Sequence, residues 1–138
     1  MKVIVAGSRD ITDFAIIEEA IEESGFEITE VVSGGAKGAD QLGEEWAELS
    51  NVPVKRFPAN WDDIDVEGAV VKTNSWGKEY NAKAGLNRNI DMAEYADALI
   101  AIDLNTTGTN HMINVAKKKE LQVFKYNPNE KLDDFYYF

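Results

Sequence analysis

The chain has 138 residues, enough for one domain with a core of its own. It has no cysteine and a single histidine, His111, which excludes a disulfide framework and leaves little for a structural zinc site. A formal net charge of −11 repels nucleic-acid backbones, and no apolar run approaches membrane-spanning length.

The opening MKVIVAG is too short for a signal peptide, so a soluble cytoplasmic protein with no membrane partner is expected. Lys2 to Ala6 reads as a first strand, short and β-branched. Gly7-Ser8-Arg9-Asp10 is a turn. Ile11 to Ser24 has helical spacing, with Phe14, Ile17, Ala20 and Ile21 as its apolar stripe. Thr12 or Asp10 would cap it, and Gly25 ends it. The many glutamates of this helix read as a solvated face.

Thr29 to Ser33 is a second strand, and Ser33-Gly34-Gly35-Ala36-Lys37-Gly38 follows it. An amphipathic helix then runs from Lys37 to Ser50, with Ala39, Leu42, Trp46 and Leu49 on one face. A glycine-rich turn between strand and helix aims backbone N–H groups at one point, which suits a phosphate. The spacing matches neither the dinucleotide fingerprint nor the triphosphate P-loop. A tight turn without a ligand is the alternative.

Asn51 ends this helix, and Val52-Pro53-Val54 opens a third strand through Phe57. Residues 58–84 form a long lid-like loop, with Trp61, Trp76 and Tyr80 among acidic residues. Either its rings stack on a ligand, or it is a flap or subunit contact; Val66 to Val71 fits a short helix or a strand. Leu86 to Tyr95 is helical, and Asp97 to Ile102 is a fourth strand. Asp103 to Thr107 turns into a helix from Gly108 to Lys119, with Lys117, Lys118 and Lys119 at its negative end. Leu121 to Tyr126 is a fifth strand. The aromatic tail, residues 127–138, is expected to dock on the domain or on a second copy in a homo-oligomer.

Strand and helix alternate along the whole chain. The expectation is a single α/β domain over residues 1–138: a three-layer, doubly wound, Rossmann-like fold. Its five-stranded, mostly parallel sheet would take the order 3-2-1-4-5. Three turns then converge on the carboxyl ends of the strands: Gly7-Ser8-Arg9, Ser33 to Gly38, and Thr106 to Thr109. A phosphoacceptor receiver shares this topology, but it needs an aspartate where Pro58-Ala59-Asn60 stands.

GSRD after strand one, SGGAKGAD after strand two, Gly85-Leu86-Asn87-Arg88-Asn89 with Met92, and Gly108-Thr109 together resemble the SLOG superfamily, its YspA-like branch most closely. The resemblance implies a Rossmann-like domain that binds nucleotide-derived ligands, ADP-ribose-like molecules among them. LOG-type phosphoribohydrolases, the DNA-processing protein DprA and ligand-sensing domains of bacterial immune proteins are relatives. It would place Gly7, Ser8 and Arg9 under the ligand. Gly34, Gly35, Ala36, Lys37, Gly38 and Ala39 would form a phosphate cradle, with Ser33 at its start. Asp40 would meet a ribose hydroxyl or simply complement the helix dipole. Arg88 would clamp a phosphate, with a helix-end salt bridge as its alternative, and Asn89 would orient it or touch the ligand. Gly108 and Thr109 would offer a second anion-binding helix start, and Trp61 an aromatic wall. A valine at Gly35 is expected to fill the cradle.

LOG-type hydrolases resemble P-G-G-x-G-T-x-E-E at the last loop. Here Asn105-Thr106-Thr107 replaces the Pro-Gly-Gly, and His111 and Met112 stand where the two glutamates would be. Neither replaces a carboxylate facing an oxocarbenium ion. The expected function is therefore binding of a nucleotide-derived small molecule, ADP-ribose-like or a cyclic nucleotide, for sensing or sequestration. No catalytic residue, metal ligand or obligatory cofactor is assigned; magnesium would enter with a phosphorylated ligand. A hydrolase of an N-glycosidic or phosphate bond, using Asp40, His111 or Asp62, is the alternative. DprA-like single-stranded DNA binding ranks last because of the acidic balance.

Overall fold

The structure is a computed structural model, and it describes residues 1–129. In chain order its elements are β1 (Lys2–Gly7), α1 (Phe14–Ser24), β2 (Glu30–Ser33), α2 (Ala39–Leu49) and β3 (Val54–Arg56). A hairpin follows, β4 (Val71–Thr73) and β5 (Glu79–Asn81). Then come α3 (Ala84–Tyr95), β6 (Ala98–Ile102), α4 (Thr107–Lys118) and β7 (Gln122–Tyr126).

The main sheet has five strands in the order β3-β2-β1-β6-β7. Every pairing in it is parallel, and Val3 to Gly7 run beside Ala98 to Ile102. With the hairpin set aside, this is the order expected from the alternation of strands and helices. Side chains alternate across a strand, so each central strand feeds two cores. Val3 and Val5 of β1, with Ile100 and Ile102 of β6, pack with Ile17 and Ala20 of α1 and with Ala39 and Ala47 of α2. Ile4 and Ala6, with Leu99 and Ala101, pack with Met92 of α3 and with Met112 and Ile113 of α4. Two helices on each face make three layers and exclude water from both faces of the sheet, as an all-parallel sheet requires. Leu99, Ile100 and Ile102 are fully buried. Removing any one to alanine costs roughly 2–5 kcal/mol.

Element ends follow local chemistry. The cap of α1 is Asp13, not Thr12 or Asp10: its carboxylate accepts the Ala15 N–H at 3.0 Å. Pro53 stands just before β3, where its carbonyl still accepts the Val31 N–H at 2.9 Å. Lys117 and Lys118 fall in the last turn of α4, where the dipole favours cations.

The segment expected as a long loop carries structure of its own. β4 and β5 pair antiparallel, Val71 with Asn81 and Thr73 with Glu79. Asn74 turns the hairpin by accepting the N–H groups of Trp76 and Lys78. Buried Asn81 ties the base: its side-chain oxygen accepts from Val70 and Lys83. Val66 to Ala69 are turns, and the strand begins at Val71. Residues 130–138, most of the aromatic tail, lie outside the described residues. No helix among the described residues is long and apolar enough to cross a membrane.

Candidate functional site

A cleft of about 540 Å³ opens at the carboxyl ends of β1 and β6, at the switch point of the sheet. Three groups of residues wall it. Gly7, Ser8, Arg9 and Asp10 come from the turn after β1; Thr106, Thr107, Gly108 and Thr109 from the start of α4; Gly85, Leu86, Arg88, Asn89 and Met92 from α3. Ala36, Asp40, Trp61, Ala82, Ala6 and Met112 complete it.

The start of α4 is open. Its N-cap Thr106 makes no side-chain bond to the helix backbone, and no acidic residue lies in the first turn. The Thr106 hydroxyl donates instead to the Thr109 hydroxyl at 2.9 Å. By helix geometry the N–H groups of Thr107, Gly108 and Thr109 lack an intrahelical partner. A Cβ on Gly108 would meet nothing within 4 Å. An anion fits here on backbone donors and the positive end of a twelve-residue helix.

The glycine-rich turn is built differently. Gly35 N–H donates to the Ser33 hydroxyl, Ala36 N–H to Asp40 Oδ2, and Ala39 N–H to the Ser8 carbonyl. Arg88 Nη1 donates to the Gly34 carbonyl at 2.8 Å. A Cβ on Gly34 would fall 2.7 Å from Arg88 Nη1 and 2.8 Å from Asp40 Oδ2. At Gly38, φ is +81° and a Cβ would lie 2.6 Å from Arg9 Cα, so the two turns touch backbone to backbone. Gly35, by contrast, faces open space. A valine there would project into the neighbouring cleft at a strained φ of +73°; the crowded positions of the turn are Gly34 and Gly38.

The structure thus divides the residues singled out from the sequence. Gly7, Ser8, Arg9, Ala36, Asp40, Trp61, Arg88, Asn89, Gly108 and Thr109 meet at the main cleft. Gly34, Gly35 and Lys37 line a neighbouring cleft instead. Ser33, Gly38 and Ala39 are buried and line neither. Ser33 braces the turn from below, donating to Glu44 at 2.6 Å. The expected cradle is therefore a scaffold over much of its length, because its own side chains and neighbours use its donors.

Burial raises the Asp40 carboxyl to about 6, against the pull of the Ala36 N–H and of Arg88. Burial also lowers Arg88, while Asp40 holds it up. Arg88 Nε is buried with no hydrogen-bond partner. His111 is not on the cleft wall. Its Nδ1 accepts from Asn89 Nδ2 at 3.1 Å, which puts the ring proton on Nε2. Burial lowers its pKa, with Lys118 adding to the effect. His111 is thus a brace behind Asn89. Asp62 pairs with Lys78 at 3.1 Å on the surface and lines no part of the cleft.

Trp61 packs its ring edge against Tyr80, centroids 6.3 Å apart, and lies over Gly85. Trp76 is 89% exposed and touches neither cleft. The floor residues Met92 and Met112 are 2% and 1% exposed. Met112 and Ala82 were not singled out for the site. Met112 looks like any residue of a helix core stripe, and Ala82 sits in a segment with no periodic pattern.

The first 63 residues, which carry GSRD and SGGAKGAD, match the model of the YspA, cpYpsA-related SLOG family. The fold is also that of DNA processing protein A (DprA) from Streptococcus pneumoniae: its X-ray structure superposes with a TM-score of 0.67 over 90% of this chain, at 19% identity. Its first 63 residues are thus similar to the SLOG family, and its fold is like that of DprA. The chain spans about half of the DprA chain, 49% of its length, so the likeness concerns part of a longer protein. The Gene 61 protein of Mycobacterium phage D29 is 29% identical over 136 residues, covering 91% of this chain and 95% of that relative. The two turns inside the matched residues, after β1 and after β2, wall the main cleft or brace it.

Proposed function

We propose that this SLOG-like domain binds a nucleotide-derived small molecule, ADP-ribose-like or a cyclic nucleotide, and serves to sense or sequester it. The carrying observation is the open start of α4 facing a cleft with an apolar floor. The phosphate takes the N–H groups of Thr107 to Thr109, with Arg9 and Arg88 beside it. The base or sugar lies over Met92 and Met112 against Trp61. Asp10 and Asp40 are the carboxylates on this wall; magnesium would arrive with the ligand's phosphates rather than wait in a protein cage.

Freshly purified protein is denatured, and the released small molecules are identified by mass spectrometry. Thermal shifts against nucleoside monophosphates, ADP-ribose isomers and cyclic dinucleotides run in parallel. A ligand at a hundred times its Kd stabilises by about 2.7 kcal/mol. No released nucleotide and no shift across the panel would refute the reading.

One observation favours turnover as a second reading. The Asp40 carboxyl lines the cleft and titrates at about 6, near the range of a general acid. Release of free base or ribose phosphate on incubation would establish hydrolysis. Ligand recovered intact after long incubation would leave binding alone. The DprA fold also brings DNA into view. An acidic chain predicts weak, steeply salt-dependent attachment to single strands, which titration at two salt concentrations tests.

A further inference from the structure

We propose that the hairpin segment, residues 61–79, docks on a second copy of this chain. Each segment lies in the basic cleft at the carboxyl ends of β2 and β3 of its partner, with Trp76 as the anchor. The contact needs no ligand, so it stands or falls apart from the nucleotide reading.

The hairpin is short of cover. Among the described residues β4 and β5 pair only with each other, and a lone two-stranded hairpin is marginal in water. Yet five of the nine exposed large apolar side chains lie on this segment: Trp61, Val66, Val70, Val71 and Trp76. A fixed turn holds Trp76 out. The Asn74 side-chain oxygen accepts the Trp76 and Lys78 N–H groups at 2.9 and 3.0 Å. The Asn74 N–H donates to the Lys78 carbonyl at 2.9 Å, and Gly77 supplies a φ of +79°. An indole presented on a fixed backbone loses little freedom on docking, which suits it as an anchor.

Charge selects a second copy as the partner. The segment carries Asp62, Asp63, Asp65, Glu67 and Glu79 against Lys72 and Lys78. Lys78 is taken by Asp62, and the other four acids are exposed with no ion pair among the described residues. The cleft after β2 and β3, about 780 Å³, has the opposite sign: Arg9, Lys37, Arg56 and Arg88 line it against Glu44 alone. Arg56 already holds Glu44 at 2.8 Å. Arg9 and Lys37 are exposed and make no ion pair among the described residues. Free acids beside apolar side chains therefore stand on the segment, and free cations with room for an indole in the cleft.

The placement allows both contacts at once. Pro58, Ala59 and Trp61 line the cleft, so the segment starts on its rim. A two-fold axis that sets the two rims face to face brings each segment to the other cleft. The segment and the four cations together reach roughly the 20–30 residues per side of a stable interface. The open start of α4 takes no part in the contact.

Sedimentation equilibrium of the full chain tests this, with circular dichroism to check that each variant folds. Wild type is expected to dimerise with a micromolar dissociation constant. Trp76→Ala should raise that constant at least about tenfold. The acid reversal, Asp65→Lys with Glu67→Lys, should do the same, and so should the cleft reversal, Lys37→Glu with Gln41→Glu. An equimolar mix of the two reversed chains should associate more tightly than either alone. In that mix one contact keeps its native charges and the other exchanges both signs. A monomer at every concentration up to about 500 µM overturns the proposal. A monomer in which Trp76→Ala weakens AMP makes the segment a lid on its own chain, which overturns it as well. A dimer untouched by these substitutions places the interface elsewhere. A dimer weakened by every variant but not rescued in the mix refutes the pairing of segment with cleft.

Discussion

Two of the helices that begin beside the main cleft, α2 and α4, treat their own termini in opposite ways. The turn before α2 satisfies its donors internally: Ser33, Asp40 and Ser8 take the N–H groups of Gly35, Ala36 and Ala39. An acidic side chain, Asp40, also complements its first turn. The start of α4 has no acid in its first turn, and neither N-cap, Gly38 or Thr106, makes a side-chain bond to its helix. If the anion sits at α4, as proposed, glycine content points to the other helix start. Glycines at the first turn permit close packing of backbone on backbone, whereas a single glycine at the second leaves room for a guest.

The largest test of that contrast is Gly38→Val. It sets a β-branched residue at a positive φ against Arg9. We expect a loss of about 3–5 kcal/mol, read as a lowered urea midpoint with unchanged slope. A loss of ligand affinity with full stability would instead make this turn a binding loop.

Asp40→Asn comes next. Burial holds this carboxyl at about 6 against an ordinary 3.8, so the fold binds its proton more tightly than the unfolded chain. The stability it contributes is complete below pH 3.8 and disappears as pH rises through about 6. Asparagine keeps an acceptor for the Ala36 N–H without the buried charge. The variant should exceed wild type by about 2–3 kcal/mol at pH 7.5, and the gap should close toward pH 4 in urea titrations. A gap independent of pH would remove the buried charge from the account.

Gly108→Asp carries the α2 arrangement over to α4. The carboxylate complements the open helix end and should raise stability by about 0.5 kcal/mol. It should also cut the affinity for AMP at least about tenfold in calorimetry, because the seat is then filled by an anion of the protein's own. Retained AMP binding would place the phosphate elsewhere.

The smallest pair concerns the hairpin segment. Trp61→Ala should weaken AMP by roughly 1 kcal/mol through lost ring contact, while Trp76→Ala, at the exposed tip, should leave it unchanged. Equal effects would mean that the segment acts as a whole flap.

The main sheet's strand count, order and direction were legible because β1, β2 and β6 are short β-branched or alanine-rich runs between amphipathic helices. The topology also brings the turns after β1 and before α4 to the main cleft, while the turn after β2 reaches it only through Ala36 and otherwise lines the neighbouring cleft or is buried. What escaped was set by contacts distant in sequence. Arg88 reaches the Gly34 carbonyl across 54 residues, and no local pattern announces it. The hairpin was hidden because β4 and β5 are three residues each and mostly exposed, so no hydrophobic alternation marks them. His111 stood out as the lone histidine, yet its neighbour Met112 is the one on the cleft wall.

Backbone amide shifts in a ¹⁵N-labelled protein titrated with AMP test the central claim most directly. The account predicts that Thr107, Gly108 and Thr109 move most and together, as their N–H groups take the phosphate, while Gly35 and Ala36 stay near their starting positions. Large movements at Gly35, Ala36 and Lys37 with a still α4 terminus would contradict it.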